Sequence, residues 1–137
     1  MSESLVGKGD ASGVVSGPID VAEVAVQVSG GSPVYTPLSE AECAAATSTF
    51  FRRNSAWVQG SYQHVLYSHY LTPNSKLPDC LRQQYHGWKV PRSRHSGGVN
   101  VLFGDGSVRF IKDSANVQTW RGLATKNGAE ILSADAL

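Results

Sequence analysis

The most regular alternation of apolar and polar positions runs from Val99 to Ile111, on either side of Asp105-Gly106. Period-two alternation about an Asp-Gly pair predicts a β-hairpin closed by a two-residue type I′ turn. That turn sets Phe103 opposite Val108 and Val101 opposite Phe110. Val99, Val101, Phe103, Val108 and Phe110 then make the core face. Asn100, Leu102, Ser107, Arg109 and Ile111 make the wetter face, and a slip of one residue would mix the two sets.

Elsewhere the pattern is coarser. Val24, Val26 and Val28 alternate with Ala25 and Gln27, which predicts a half-buried strand within Ile19–Val28. Ser29-Gly30-Gly31-Ser32-Pro33 ends it. Ser39-Glu40-Ala41-Glu42 has the Ser-x-x-Glu form of a capping box, just after Pro37, and predicts a short helix through Ala46. Trp57 is a candidate core anchor, and Tyr62–Tyr70 reads as a strand. Residues 72–79 read as a turn-rich loop and residues 83–94 as an irregular stretch. Asp113 or Ser114 is expected to cap a helix carrying Val117, Trp120 and Leu123 at helical spacing. Ala129-Glu130-Ile131-Leu132 follows an Asn-Gly turn as a last strand or tail. The sum is an α+β fold: an antiparallel sheet with short helices and long loops. Residues 1–18, rich in Gly and Ser, form a weakly ordered lead, and residues 19–137 form one domain.

Composition narrows the classes. The chain has 137 residues, 41% hydrophobic and 17% charged, with a net charge of +1. That suits a globular domain with a real core and contains no apolar run of membrane-spanning length. The near-neutral balance, with no basic stretch in a nucleic-acid motif, argues against binding DNA or RNA. Charge is unevenly placed all the same. Residues 1–51 carry six acids against Lys8, and residues 52–94 carry seven bases against Asp79. This balances within one fold, or serves head-to-tail contact between copies.

The stretch Ser93-Arg94-His95-Ser96-Gly97-Gly98-Val99-Asn100-Val101-Leu102-Phe103-Gly104-Asp105-Gly106-Ser107-Val108-Arg109-Phe110 resembles the C-terminal signature of a pseudopilin-like family abundant in planctomycetes. The similarity extends to residues 53–60, 67–75, Trp120 and Leu123-Ala124-Thr125, and covers roughly residues 33–133. The chain departs from the family pattern in Gly128-Ala129-Glu130, where Gly-Gly-Glu is usual, and in lacking the hydrophobic N-terminal helix. The resemblance implies a pseudopilin-like head, or a soluble remnant of one, in a type II secretion or type IV pilus-like system. Its partners would be like subunits or secretion-apparatus proteins, and it would meet the membrane only through the missing helix. It also implies an extracellular or periplasmic location, whereas the sequence read literally from Met1, with no leader, points to the cytoplasm. In an exported head Cys43 and Cys80 are expected to pair, as the family supports; in a cytoplasmic protein they would be buried thiols. The family's solute-binding label suggests a third class, an extracellular ligand-binding module.

Candidate chemistry rests on His64, His69, His86 and His95 with Asp79, Asp105 and Asp113. None has a diagnostic spacing. In the structural reading, His95 braces Gly97-Gly98 and Asp105-Gly106 makes the turn. In the enzymatic alternative, a calcium-dependent hydrolase of small esters or lactones, His64, His69 or His95 acts as base or ligand to a metal-activated water, with Asp105 beside them. Type II secretion pseudopilins, which the chain resembles, hold calcium in a C-terminal loop. That implies oxygen ligands from Asp79, Asp105, Asp113 and glycine-loop carbonyls.

Overall fold

The computed structural model of the chain describes residues 25–31, 36–50, 58, 60, 64, 66–82 and 86–126. The expectations for residues 1–18, for Trp57 and for the tail at 129–132 lie outside them. Two sheets and two short helices make up the described part. The first sheet has the strand order β2-β1-β3-β4, from β1 (Ala25–Val28), β2 (Ser48–Phe50), β3 (Asp79–Arg82) and β4 (His86–Trp88). Its pairs are antiparallel except β1 with β3, which run parallel with Val26 opposite Cys80. The second sheet is the hairpin of β5 (Gly98–Leu102) and β6 (Val108–Lys112). This is a mixed α+β domain, as the pattern predicts.

Helix α1 (Glu40–Ala45) begins where the capping box places it. The Ser39 hydroxyl accepts from the Glu42 N–H at 3.2 Å, and the Ser39 N–H donates to Glu42 Oε2 at 3.0 Å, which satisfies two of the donors that a helix start leaves open. Cys43 is its one buried residue and is bonded to Cys80 of β3, with the Cα atoms 6.0 Å apart. Cys43, Cys80, Val28 and Trp88 form the core beneath the sheet.

Three expectations are corrected. The hairpin turn is not a two-residue type I′ turn. Leu102 pairs with Val108 and Val99 with Ile111, and Gly104-Asp105-Gly106 is a three-residue loop. The Gly106 N–H donates to the Phe103 carbonyl, the Phe103 N–H donates to the Ser107 carbonyl, and Gly106 sits at φ +85°. This is the turn-plus-bulge connection in which glycine takes the left-handed position. The extra residue shifts the register by one, so Ile111 goes to the core with Val99 and Val101, while Val108 and Phe110 turn outward. Second, helix α2 (Val117–Gly122) is capped by Asn116, not Asp113 or Ser114; its Oδ1 accepts from the N–H groups of Gln118 and Thr119. Asp113 is occupied elsewhere. Third, residues 66–70 form no strand; Ser68 donates its N–H to the Lys89 carbonyl at 2.9 Å, just past β4.

β3 and β4 are elements that pattern reading missed. The sequence of β3, Asp-Cys-Leu-Arg, ends in charges, yet every residue of it is buried. Asp79 accepts from the Val90 N–H at 3.0 Å and lies 3.5 Å from the Arg92 guanidinium. Arg82 donates to the carbonyls of Gly30, Thr36 and Pro37 and to Glu42 Oε1 at 2.8 Å. A buried charge is tolerated when paired and hydrogen-bonded in this way.

Candidate interaction surface

The glycines and Asp105 of the signature build the hairpin. At its base Gly97 takes φ +82° and its carbonyl accepts from the Asp113 N–H. A Cβ on Gly98 would overlap the Ile111 carbonyl and come within 2.8 Å of the Phe110 ring, so the ring lies over a position only glycine leaves open. At the tip Asp105 accepts from the Ser107 N–H and hydroxyl at 2.9 and 2.7 Å, and these bonds hold its carboxyl below the usual range. Asn74, at φ +52°, ties the base to the neighbouring loops: its side chain donates to Asp113 Oδ1 at 2.8 Å and to the Gly98 carbonyl at 3.4 Å, and accepts from the Ser93 N–H at 2.9 Å. The inner face of the hairpin packs Val99, Val101 and Ile111 against Trp120, whose indole N–H donates to the Leu71 carbonyl.

The candidate catalytic and metal residues are scattered. His95 is exposed just before β5, with its N–H on the Ser93 hydroxyl, and Asp105 lies past the far end of β5. Five strand residues separate them, roughly 15 Å at the rise of a strand. His64 is buried and its carbonyl accepts from Lys89 Nζ at 2.7 Å. His69 is sandwiched between Tyr67 and Trp120, donating from Nδ1 to the Trp120 carbonyl, and burial lowers its pKa. His86 bonds the Thr36 carbonyl through Nε2. Asp79 and Asp113 sit in different parts of the fold, on Arg92 and Asn74 respectively. Among the described residues no three His, Cys, Asp or Glu side chains gather in a group that could hold a metal.

What the arrangement does offer is surface. Leu102, Val108 and Phe110 lie on the outward side of the hairpin, with Val108 64% and Phe110 47% exposed, and Lys112 follows them on the same side of β6. A second feature lies beside α1: a small apolar hollow lined by Glu40, Cys43, Ala44, Leu77, Pro78 and Trp88. Tyr70 stacks on Trp88 at 4.9 Å, carries Arg121 over its ring, and donates its hydroxyl to Glu40, which raises its pKa. The sequence reading marked the hairpin residues, Glu40 in the capping box and Cys43 in the disulfide, but did not join these two to Leu77, Pro78 and Trp88. The apolar hollow was hidden because its residues come from three separate stretches of the chain.

A family model described as a protein of unknown function (DUF1559; SBP_bac_10) matches residues 2–118. No curated protein and no solved structure matches the chain.

Proposed function

The chain belongs to the DUF1559 family, and from that premise we propose that it is a pseudopilin-like structural or assembly protein, working through contacts with like subunits or with a secretion apparatus. One observation carries this reading: the signature residues Gly97, Gly98, Asp105 and Gly106 serve to hold a hairpin whose outer side presents Leu102, Val108 and Phe110 to solvent. Contiguous apolar groups left in water mark contact surfaces. The Cys43–Cys80 bond suits an oxidising compartment, so an extracellular or periplasmic site of action goes with the proposal. No helix among the described residues is long and apolar enough to cross a membrane.

The test is a pair of measurements on the oxidised full chain. Sedimentation velocity should show association that grows with concentration. A panel of small esters and lactones, with calcium and with chelator, should show no turnover above background. A chelator-sensitive hydrolysis lost in His95→Gln at unchanged melting temperature would replace this reading with the hydrolase.

A further inference from the structure

The hairpin and the hollow beside α1 complement each other in charge, and both are apolar. The hairpin offers an aromatic knob, Phe110, with the exposed cation Lys112 two residues along the same side. The hollow offers apolar walls, Ala44, Leu77, Pro78 and Trp88, with the exposed carboxylate Glu40 at its edge. Among the described residues no carboxylate pairs with Lys112, and no cation forms an ion pair with Glu40, whose one bond there is from the Tyr70 hydroxyl. The other acid of α1, Glu42, is already held by Arg82. The remaining outer positions of the helix, Ala41, Ala44 and Ala45, are small and exposed, so nothing on α1 obstructs a close approach. The two features lie on different packing units, since the hairpin core and the sheet core are separate clusters.

We propose that the outer hairpin face of one copy seats on the α1 hollow of a second copy, with Phe110 packing against the apolar walls of the hollow and Lys112 meeting Glu40. The inference rests on the reading that the chain works through contacts with like subunits, and it names the two surfaces. Because they differ, the contact is heterologous. The joined pair keeps one free hairpin and one free hollow, so the assembly grows as an open row unless its rotation closes a ring. The apolar knob supplies the burial, and the Lys112–Glu40 pair sets register and partner choice.

The experiment is sedimentation velocity on the oxidised full chain and four variants, each first shown to keep its circular dichroism spectrum and cooperative melt. Lys112→Glu and Glu40→Lys should each weaken association by about tenfold, because each brings like charges together. An equimolar mixture of the two should recover near wild-type association, since the reversed hairpin of one fits the reversed hollow of the other. Ala44→Trp, which fills the hollow from an exposed position, and Phe110→Ser, which removes the knob, should abolish it. Rising salt should weaken the association of the wild type. Association untouched by all four variants would overturn this interface and leave the reading of contact between like subunits standing. Sensitivity to Lys112→Glu and Phe110→Ser but not to Glu40→Lys or Ala44→Trp would overturn it in favour of hairpin-to-hairpin pairing. A wild-type chain that stays monomeric at every concentration would overturn the reading itself.

Discussion

The four-stranded sheet and the hairpin are held together by opposite means. The sheet closes through contacts between distant residues. The Cys43–Cys80 bond spans 37 positions, and Arg82 gathers the carbonyls of Gly30, Thr36 and Pro37 together with Glu42. The hairpin with α2 is built from near neighbours: a three-residue turn, two positive-φ glycines, an Asn116 cap and a compact core of Val99, Val101, Ile111 and Trp120. Short strands carrying few large apolar groups need clamps; a pair of five-residue strands with a tryptophan beneath it does not.

Breaking the clamps should separate the two regions most widely. Replacing both Cys43 and Cys80 with alanine is expected to cost about 4 kcal/mol on the chain-entropy account of a loop this long. Amide exchange should show the protection loss in β1, β3 and α1 and spare β5–β6. Equal loss in both regions would mean that they fold as one unit. Next comes Arg82→Met, which leaves the carbonyls of Gly30, Thr36 and Pro37 without their donor and should cost about 3 kcal/mol. A denaturant midpoint at the wild-type position would show that the clamp is ornamental.

On the hairpin side, Gly106→Val should cost about 2 kcal/mol, because a β-branched residue is strained at φ +85°. Asp105→Ala, which removes only the bonds to Ser107, should cost about 1 kcal/mol. Thermal melts of the two variants give the order, and equal midpoints would overturn the turn geometry.

The smallest expected effect is acid sensitivity confined to the sheet. The Arg82 guanidinium, and then Ser39, hold the Glu42 carboxyl at about 2, against an ordinary 4.5. Its folded-state pKa is depressed, so the stability it contributes is present above about pH 4.5 and is lost as pH falls toward 2. Stability curves over that window should be steeper for the wild type than for Arg82→Met, and parallel curves would remove Glu42 from the clamp.

How much of this was legible in the sequence follows the same division. The capping box at Ser39 and the existence of the hairpin depend on residues a few positions apart, and local pattern found both. The register failed because Asp105-Gly106 is compatible with two loop lengths. Only backbone pairing decides that Phe103 faces Ser107 rather than Val108. β3 was unreadable for a stronger reason. Asp79 and Arg82 look like loop residues until their partners, Val90, Arg92, Glu42 and three carbonyls, are brought from elsewhere in the chain. The knob was named for the wrong face, and the hollow has no contiguous signal at all. The separation of His95 from Asp105 likewise needed the strand between them to be seen extended.

The parallel pairing of β1 with β3 has a kinetic consequence. Ala25 and Asp79 are neighbours across about 54 residues of chain, but once Cys43 and Cys80 are joined the shortest covalent path between them falls to about 19 residues. The entropy of closing the smaller ring is lower by about 1 kcal/mol, on the order of a fivefold faster search for that pairing. A chain oxidised before it collapses should therefore assemble its central strands ahead of a reduced one, which leaves the buried guanidinium of Arg82 and its unpaired carbonyls open to water for a shorter time.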